Sequence, residues 1–170
     1  NKVFDRWLSK EDVGNIFVRD FDLMLSMVMG LPSSSCVNAK TCGREVALEH
    51  NGDLYSCDHY VQNDYMLGNI TQQTLTEMMD SERQIKFGND KCETLPQYCL
   101  DCDFLKFCWG ACPKDRIKKT PQGESGLNYL CEGYKAFYSH TEPYFKKMAE
   151  CLRMGYFAED WNNLGTLKEQ

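Results

Sequence analysis

Eight of the ten cysteines fall into two groups whose spacing is typical of metal sites. The first group reads C-x5-C-x14-C and consists of Cys36, Cys42 and Cys57. The second group reads C-x2-C-x5-C-x3-C-x18-C, and its members are Cys99, Cys102, Cys108, Cys112 and Cys131. Two four-cysteine sites need eight ligands, so one cysteine of the second group is expected to complete the first site, as in two-cluster iron–sulfur proteins. The spacing therefore predicts two metal centres and electron-transfer chemistry.

The residues favour metal over disulfides, and clusters over zinc. No secretion signal is visible, and cysteines in proteins that are not secreted more often bind metal. The C-x2-C pair of Cys99 and Cys102 can supply two thiolate ligands to one metal site, whereas a disulfide between these two residues would be strained. A zinc ribbon usually shows two C-x2-C pairs, whereas the other spacings here are irregular. Two [4Fe–4S] clusters are thus the favoured interpretation, and zinc sites or a disulfide framework stay open.

A β-hairpin is the clearest element that positions these cysteines. Residues 45–50 and 53–57 flank Asn51-Gly52, a pair that supplies the positive φ angles of a type I′ turn. The second arm ends at Cys57, which brings this thiol back towards Cys36 and Cys42.

Helices are predicted on both sides of the cysteine-rich segment. Apolar spacing predicts helices over residues 3–10, over 21–29 after an Asp20 cap, from Thr71 or Thr74 to about Phe87, and from Glu132 onwards. Leu75, Met78, Met79 and Ile85 are predicted as the buried side of the third helix. Residues 16–18 suit a short strand and 67–70 a turn, and the loop-rich stretch 88–131 would be ordered by bound metal. The expected fold is α+β, a loop-rich, cysteine-rich domain with an N-terminal β-hairpin, flanking helices and two metal-cluster sites.

Length and charge exclude several classes of function. The chain has 170 residues and a formal net charge of −6, which suits one domain with a modest core. It has no Lys/Arg-rich run, which argues against a nucleic-acid or membrane-surface protein. No apolar stretch approaches the roughly 18 residues that span a bilayer. The chain begins at Asn1 without an initiator Met, so we interpret it as a fragment, and we expect a cytoplasmic location.

Several motifs make the chain resemble the SPASM domain of radical-SAM peptide-modifying enzymes. The eight-cysteine spacing carries that resemblance. Within the group, the chain is most similar to the anaerobic sulfatase-maturating enzymes. The supporting segments are SSSC at 33–36, YSCD at 55–58, LGNI at 67–70, CWGAC at 108–112 and LNYLC at 127–131. The similarity runs from about residue 7 to residue 148, most of the chain.

The resemblance implies two [4Fe–4S] clusters, each with four protein ligands. It assigns the first cluster to Cys36, Cys42, Cys57 and Cys112. It assigns the second to Cys99, Cys102, Cys108 and Cys131. The remaining cysteines, Cys92 and Cys151, are expected to be free thiols.

Asp58 is the candidate catalytic residue, because the matching aspartate is the proposed base in sulfatase maturases. In that family a 5′-deoxyadenosyl radical takes a hydrogen from Cβ of a Cys or Ser in a sulfatase. Loss of the side-chain proton and of one more electron then yields formylglycine, and a carboxylate within hydrogen-bond reach takes such a proton. Without the resemblance, Asp58 would be interpreted as a turn cap. His50, His59 and His140 are expected to be surface or packing residues.

The radical-SAM signature C-x3-C-x2-C does not occur, because Asp115 stands three places after Cys112. By the resemblance, residues 1–30 form the end of the radical-SAM core and a linker, 31–134 the two-cluster SPASM domain, and 135–170 a C-terminal helical segment and tail. S-adenosylmethionine and a third [4Fe–4S] cluster belong to a missing N-terminal domain, so the chain is expected to be inactive alone. The implied partners are a sulfatase polypeptide and a reduced flavodoxin or ferredoxin-type electron donor, with no nucleic acid and no membrane.

Two other functions stay open. One is the SPASM domain of another peptide-modifying radical-SAM enzyme, such as a thioether synthase. The other is a non-catalytic interaction module stabilised by zinc. The residues do not distinguish a Ser-type from a Cys-type sulfatase target.

Overall fold

The computed structural model describes residues 1–168, which form two compact units. The helical unit joins Asn1–Ser34 with the chain from Glu132 onwards, and the cysteine unit is Ser35–Cys131. The predicted three-part division treats the two ends of the chain separately, whereas the structure places them in one unit. The assignment of residues 1–30 to a radical-SAM core stays a prediction. None of the helices within residues 1–168 combines the length and apolarity of a bilayer span.

The helical unit is built around an aromatic core. Its α-helices are α1 (Lys2–Ser9), α2 (Arg19–Val28), α7 (Cys131–Arg153) and α8 (Leu164–Leu167), with a 3-10 segment at Ala158–Asn163. Phe4 and Phe145 are 1% and 0% exposed, and their ring centroids lie 5.2 Å apart. Phe21 meets Phe4 edge-on at 5.1 Å. Aromatic pairs at such distances add stabilisation beyond the apolar area that they bury.

The predicted helices over 3–10 and 21–29 are confirmed, but the strand at residues 16–18 is wrong. The Ile16 backbone is used locally, since its N–H donates to Asp12 O at 2.8 Å and its carbonyl accepts from Trp7 Nε1 at 2.7 Å. Asp20 is not the cap of α2, because the helix begins one residue before it and Val18 holds the cap position. Asp20 lies instead in the first turn, where a negative charge stabilises the helix dipole.

The cysteine unit contains a three-stranded antiparallel sheet in the order β1 (Ala47–Leu48), β2 (Asp53–Tyr55) and β3 (Met66–Asn69). The predicted hairpin is confirmed, with Leu48 paired to Leu54. Its turn is not type I′, which needs two residues with positive φ. Gly52 has φ +89°, while Asn51 is not among the described residues with positive φ. Gly52 N–H donates to Glu49 O at 2.9 Å, which gives a three-residue loop ending in a left-handed glycine.

The turn predicted at residues 67–70 is wrong, because these residues lie largely in β3. Gly68 pairs with Leu54 and Met66 with Tyr55, so Leu67 is the extra residue of a bulge. The Asn69 side chain donates to Asn51 O at 3.0 Å and to Asp53 Oδ1 at 2.9 Å. Glycine and asparagine here accommodate a bulge and a side-chain link across the sheet, not a chain reversal.

Short helices make up most of the rest of the cysteine unit. They are α3 (Leu75–Met79), α4 (Glu82–Glu93), α5 (Gln97–Leu100) and α6 (Leu105–Cys108), followed by the β-ribbon β4 (Lys118–Lys119) and β5 (Ser125–Leu127). Thr74 caps α3, as predicted for one of the two threonines: its hydroxyl accepts from Glu77 N and its N–H donates to Glu77 Oε2. The helix does not run on to Phe87, because it ends at Met79 and α4 starts after a new cap at Ser81.

The predicted buried side of this region is only partly right. Met78 is buried, but Leu75 and Ile85 are each 49% exposed. The buried face of α4 instead consists of Gln84, Gly88 and Lys91. A polar helix face is therefore turned into the interior of the cysteine unit.

Candidate metal centre

The eight thiols of the two cysteine groups lie on the loops and short helices of the cysteine unit. Cys36 and Cys42 precede β1, and Cys57 follows β2. Cys99 lies in α5, Cys108 ends α6, and the others occupy neighbouring loops or the start of α7. The unit thus carries its thiols where short elements end.

Cys112 lies near all three cysteines of the first group. Burial raises the pKa of Cys36 to about 11 and that of Cys57 to about 12, and it also raises the pKa of Cys42. In each case the neighbouring Cys112 thiol raises the pKa further. Cys36, Cys42 and Cys57 are therefore desolvated, and each lies close enough to Cys112 for the two thiolates to repel one another.

The other four thiols form a second neighbourhood. Burial raises the pKa of Cys99 to about 11, and the Cys131, Cys108 and Cys102 thiols add to the rise. Burial also raises the pKa of Cys108, again with contributions from Cys131 and Cys102. The two neighbourhoods have the same members as the two ligand sets that the resemblance implies; the ligand roles themselves stay a prediction.

All ten cysteines are free thiols. Cys92 and Cys151 stand apart from both sets. Cys92 Sγ donates to Asn89 O at 3.3 Å, and Cys151 is buried in the helical unit. Within residues 1–168, no three His, Cys, Asp or Glu side chains are grouped closely enough to hold a single metal ion.

Lys91 holds the loop that carries Cys36 and Cys42. Its side chain is 1% exposed, and Nζ donates to Cys36 O at 2.5 Å, to Val37 O at 3.0 Å and to Ala39 O. Burial lowers the pKa of Lys91 to about 8, while nearby thiols, Cys42 first, oppose the shift. A buried ammonium that binds three carbonyls fixes the path of this loop.

The rest of the buried face of α4 holds the neighbouring segments. Gln84 Nε2 donates to Gly43 O at 2.6 Å and to Ser56 O at 3.0 Å, so one side chain joins the residues next to Cys42 and Cys57. A Cβ on Gly88 would lie 2.4 Å from Cys42 O, so only glycine fits there. Sequence reasoning missed this face because it looked for apolar residues; the i, i+4, i+7 spacing of Gln84, Gly88 and Lys91 was the available signal.

A left-handed turn separates Cys108 from Cys112. Trp109, Gly110 and Ala111 have φ values of +45°, +68° and +51°. The backbone amides of Gly110 and Ala111 lie beside the Cys108 sulfur and oppose the rise in its pKa, and the Ala111 N–H donates to Cys108 O at 2.8 Å. Backbone amides beside a ligand sulfur are a recurring feature of Fe–S sites.

Asp58 and His59 are exposed and lie against the first thiol set. They belong to the 3-10 turn Asp58–Tyr60, directly after Cys57. Cys57 Sγ donates to Asp58 Oδ1 at 3.1 Å, and this hydrogen bond is the main cause that lowers the pKa of Asp58. His59 Nδ1 lies 3.4 Å from Cys112 Sγ. The carboxylate is thus both accessible to solvent and adjacent to a candidate ligand. His50 and His140 lie elsewhere, His50 at the hairpin turn and His140 paired with Asp5 at 2.5 Å.

The buried Lys91 and the half-buried Arg116 supply two cations that fit an anionic group at this site. Neither Lys91 nor Arg116 has a carboxylate within ion-pair distance in the described part of the chain. The groups that interact electrostatically with Arg116 are instead cysteine thiols, and Cys99 has the largest effect among them. Buried cations need a counter-charge, and a cluster held by four thiolates is a net anion. The donor set and its surroundings therefore fit iron–sulfur clusters.

A family model described as an iron-sulfur cluster-binding domain, SPASM, matches residues 36–103. The serine-type anaerobic sulfatase-maturating enzyme of Bacteroides thetaiotaomicron is 51% identical over 150 residues, which are 88% of this chain and 36% of that protein. A cysteine-type enzyme of Clostridium perfringens is 30% identical over 152 residues, 89% of this chain and 40% of that protein.

A solved structure, native anSMEcpe with bound AdoMet and Cp18Cys peptide, matches 89% of this chain and 42% of its own. The TM-score is 0.75 and the sequence identity 29%, which confirms the α+β, cysteine-rich fold. The chain spans about two fifths of the length of these relatives. It carries an SPASM iron–sulfur cluster-binding domain and is related over nearly nine tenths of its length to the anaerobic sulfatase-maturating enzymes.

Proposed function

We propose that this chain is the auxiliary-cluster part of a radical-SAM enzyme that oxidises a Cys or Ser of a sulfatase to formylglycine. The observation that carries the proposal is the grouping of eight thiols into two neighbourhoods of four, each with desolvated members, in a chain that is 51% identical to part of one such enzyme. In this proposal the radical is generated outside the chain, by S-adenosylmethionine and a third [4Fe–4S] cluster.

Each thiol set is proposed to hold one [4Fe–4S] cluster. The first ligand set is Cys36, Cys42, Cys57 and Cys112, and the second is Cys99, Cys102, Cys108 and Cys131. When bound, such clusters supply one-electron transfer, because four protein ligands leave no iron open for substrate. Lys91 and Gln84 hold the backbone of the first set, and the amides of the left-handed turn support Cys108.

Asp58 is proposed to take the side-chain proton of the target residue. An exposed aspartate is ionised at neutral pH, and the exposure of Asp58 leaves it accessible to a peptide. The hydrogen bond from Cys57 requires a protonated thiol, whereas a metal ligand is a thiolate and has no proton to donate. With Cys57 acting as a ligand, the carboxylate is free to accept from the substrate.

The proposed partner is the segment of a sulfatase that contains the target residue, with a reduced flavodoxin or ferredoxin-type protein as electron donor. The relative with 51% identity is named serine-type, which favours a serine target. A neighbouring solved structure is described with a bound peptide, in line with a peptide substrate.

The first test is the content of iron, sulfide and zinc after anaerobic reconstitution of this chain. We expect about eight irons and about eight sulfides per chain, as two four-iron clusters require. Failure to take up iron, together with two tightly held zinc ions, would contradict the electron-transfer role and favour a zinc-stabilised interaction module.

The second test concerns Asp58 in the full enzyme, with serine- and cysteine-containing sulfatase peptides supplied in parallel. Asp58→Asn is expected to abolish formylglycine formation while iron content stays normal. Asp64→Asn is the matched control, because Asp64 is exposed on the next 3-10 turn and uses its backbone carbonyl for Arg83. Full activity of Asp58→Asn would rule out this base.

A further inference from the structure

Arg116 closes the left-handed turn between Cys108 and Cys112. Its Nε donates to Gly110 O at 3.0 Å, and its Nη2 donates to Trp109 O at 2.8 Å and to Ala111 O at 3.3 Å. One guanidinium therefore binds three consecutive carbonyls. The Gly110 and Ala111 amides lie beside the Cys108 sulfur, and the carbonyls of the turn accept from Arg116.

The turn is strained without this partner, because two of its three left-handed residues carry a Cβ. The third, Gly110, also lacks room for one, since a Cβ would lie 2.8 Å from Arg116 Nη2 and 2.4 Å from Leu95 Cδ2. Arg116 is thus packed directly on the backbone that separates two candidate ligands.

The third guanidinium nitrogen of Arg116, Nη1, takes no part in these three hydrogen bonds. Nη1 is buried and has no hydrogen-bond partner within residues 1–168. A buried N–H of a charged group is rarely left without an acceptor, so this atom points to a group that the protein itself does not supply. The charge of Arg116 also acts on thiols from both sets, Cys99 and Cys108 in one and Cys42 and Cys112 in the other.

We propose that Arg116 tunes the reduction potentials of both clusters, with its free Nη1–H donating to cluster or thiolate sulfur and its charge acting on both ligand sets. This inference rests on the proposed cluster function. Reduction adds negative charge to a cluster, so a nearby cation and N–H···S hydrogen bonds favour the reduced state and raise the potential. Arg116 is a positioning residue by its three carbonyl contacts and an electrostatic one because its charge acts on thiols of both sets.

The test compares Arg116→Gln, Arg116→Lys and a control, Lys119→Gln, in the reconstituted chain. Lys119 is exposed in β4, so the control removes one positive charge from a nearby but solvated position. Iron content is measured first, and redox titration followed by electron paramagnetic resonance then gives the potential of each cluster.

In Arg116→Gln we expect the reduction potentials of both clusters to fall. At a fixed applied potential, the ratio of reduced to oxidised cluster is expected to drop about tenfold, which corresponds to a fall of about 59 mV for a one-electron couple. Arg116→Lys keeps the charge and is expected to show a smaller fall, and Lys119→Gln none. Unchanged potentials in Arg116→Gln with full iron would overturn the proposal, and a fall in only one cluster would overturn its shared character.

If Arg116→Gln holds less iron because the turn has lost its brace, Arg116→Lys decides the outcome. Normal iron content in Arg116→Lys, together with lowered reduction potentials, would support the proposal. Loss of iron from both variants, with unchanged circular dichroism, would overturn tuning and leave Arg116 as a brace alone. Absence of iron from the unmutated chain is a distinct result, because it contradicts the proposed function itself.

Discussion

Around Phe4 and Phe145, the helical unit packs aromatic rings against one another, whereas around Lys91 the cysteine unit packs polar side chains against backbone carbonyls. The first kind of contact needs only burial of apolar surface, which grows with the area removed from water. The second kind holds loops in one path, but it brings charges and thiols out of water without an apolar core of comparable size. The stability of a unit of the second kind therefore depends on what its thiols bind.

The largest expected difference between the units appears when metal is removed. In the reconstituted chain, chelation of iron is expected to abolish amide-exchange protection across Ser35–Cys131, because metal binding and folding are linked in such segments. Protection in α1 and α7 should persist. Hydrogen exchange with and without chelator measures both units in one experiment, and equal loss in both would contradict the comparison.

A change to the aromatic core should have the opposite pattern. Phe145→Ala removes a fully buried ring and is expected to lower the free energy of unfolding by about 3–5 kcal/mol. Iron content should stay normal, because Phe145 belongs to the helical unit. Phe157→Ala is the control, since Phe157 is 72% exposed and its removal is expected to change stability by no more than about 0.5 kcal/mol. Denaturant unfolding followed by tryptophan fluorescence measures the effect.

Lys91→Met keeps the aliphatic stem but leaves three carbonyls without their donor. Unsatisfied buried acceptors cost about 1–3 kcal/mol, so we expect a looser Cys36–Cys42 loop and faster loss of iron to a chelator. Lys86→Met is the matched control on the same helix, because Lys86 is exposed and pairs with Asp90 at the surface. Equal rates of iron loss in the two variants would show that the buried ammonium does not brace the loop.

The smallest effect is expected at the cap of α3. Thr74→Ala removes the hydroxyl that accepts from Glu77 N and should lower stability by about 1 kcal/mol. The Thr74 hydroxyl and backbone N–H donate to Glu77 and lower its pKa. Because the folded pKa lies below the unfolded one, this contribution is complete above the unfolded pKa and is lost as the pH falls through the folded pKa.

Unfolding of the unmutated chain and of Glu77→Gln, measured between neutral and acidic pH, checks the sign. The glutamine variant should lack this part of the pH dependence, since it has no carboxylate to protonate. A pH dependence that is identical in the two proteins would contradict the capping box as its source.

Local signals in the sequence determined several elements of this chain. Helix periodicity located α1, α2 and the long α7, Asn51-Gly52 located the hairpin, and Thr74 located a cap. The spacing of the cysteines located the SPASM region, which the matching family model confirms. These features can be read from the sequence because each depends on residues within a few positions of one another, or on ligand types whose spacing is itself the pattern.

The tertiary structure decided where partners distant in sequence meet. Lys91 binds a carbonyl 55 positions away at Cys36, and Gln84 reaches back 41 positions to Gly43, so neither role follows from local pattern. Leu67-Gly68 became a bulged strand because β2 was available to pair with it. The left-handed Trp109–Ala111 turn is stabilised because Arg116 donates hydrogen bonds to its three carbonyl oxygens. The periodicity of a sequence indicates which residues are buried. The acceptor of a buried hydrogen-bond donor, in contrast, is determined only by the folded chain, because it lies far away in the sequence.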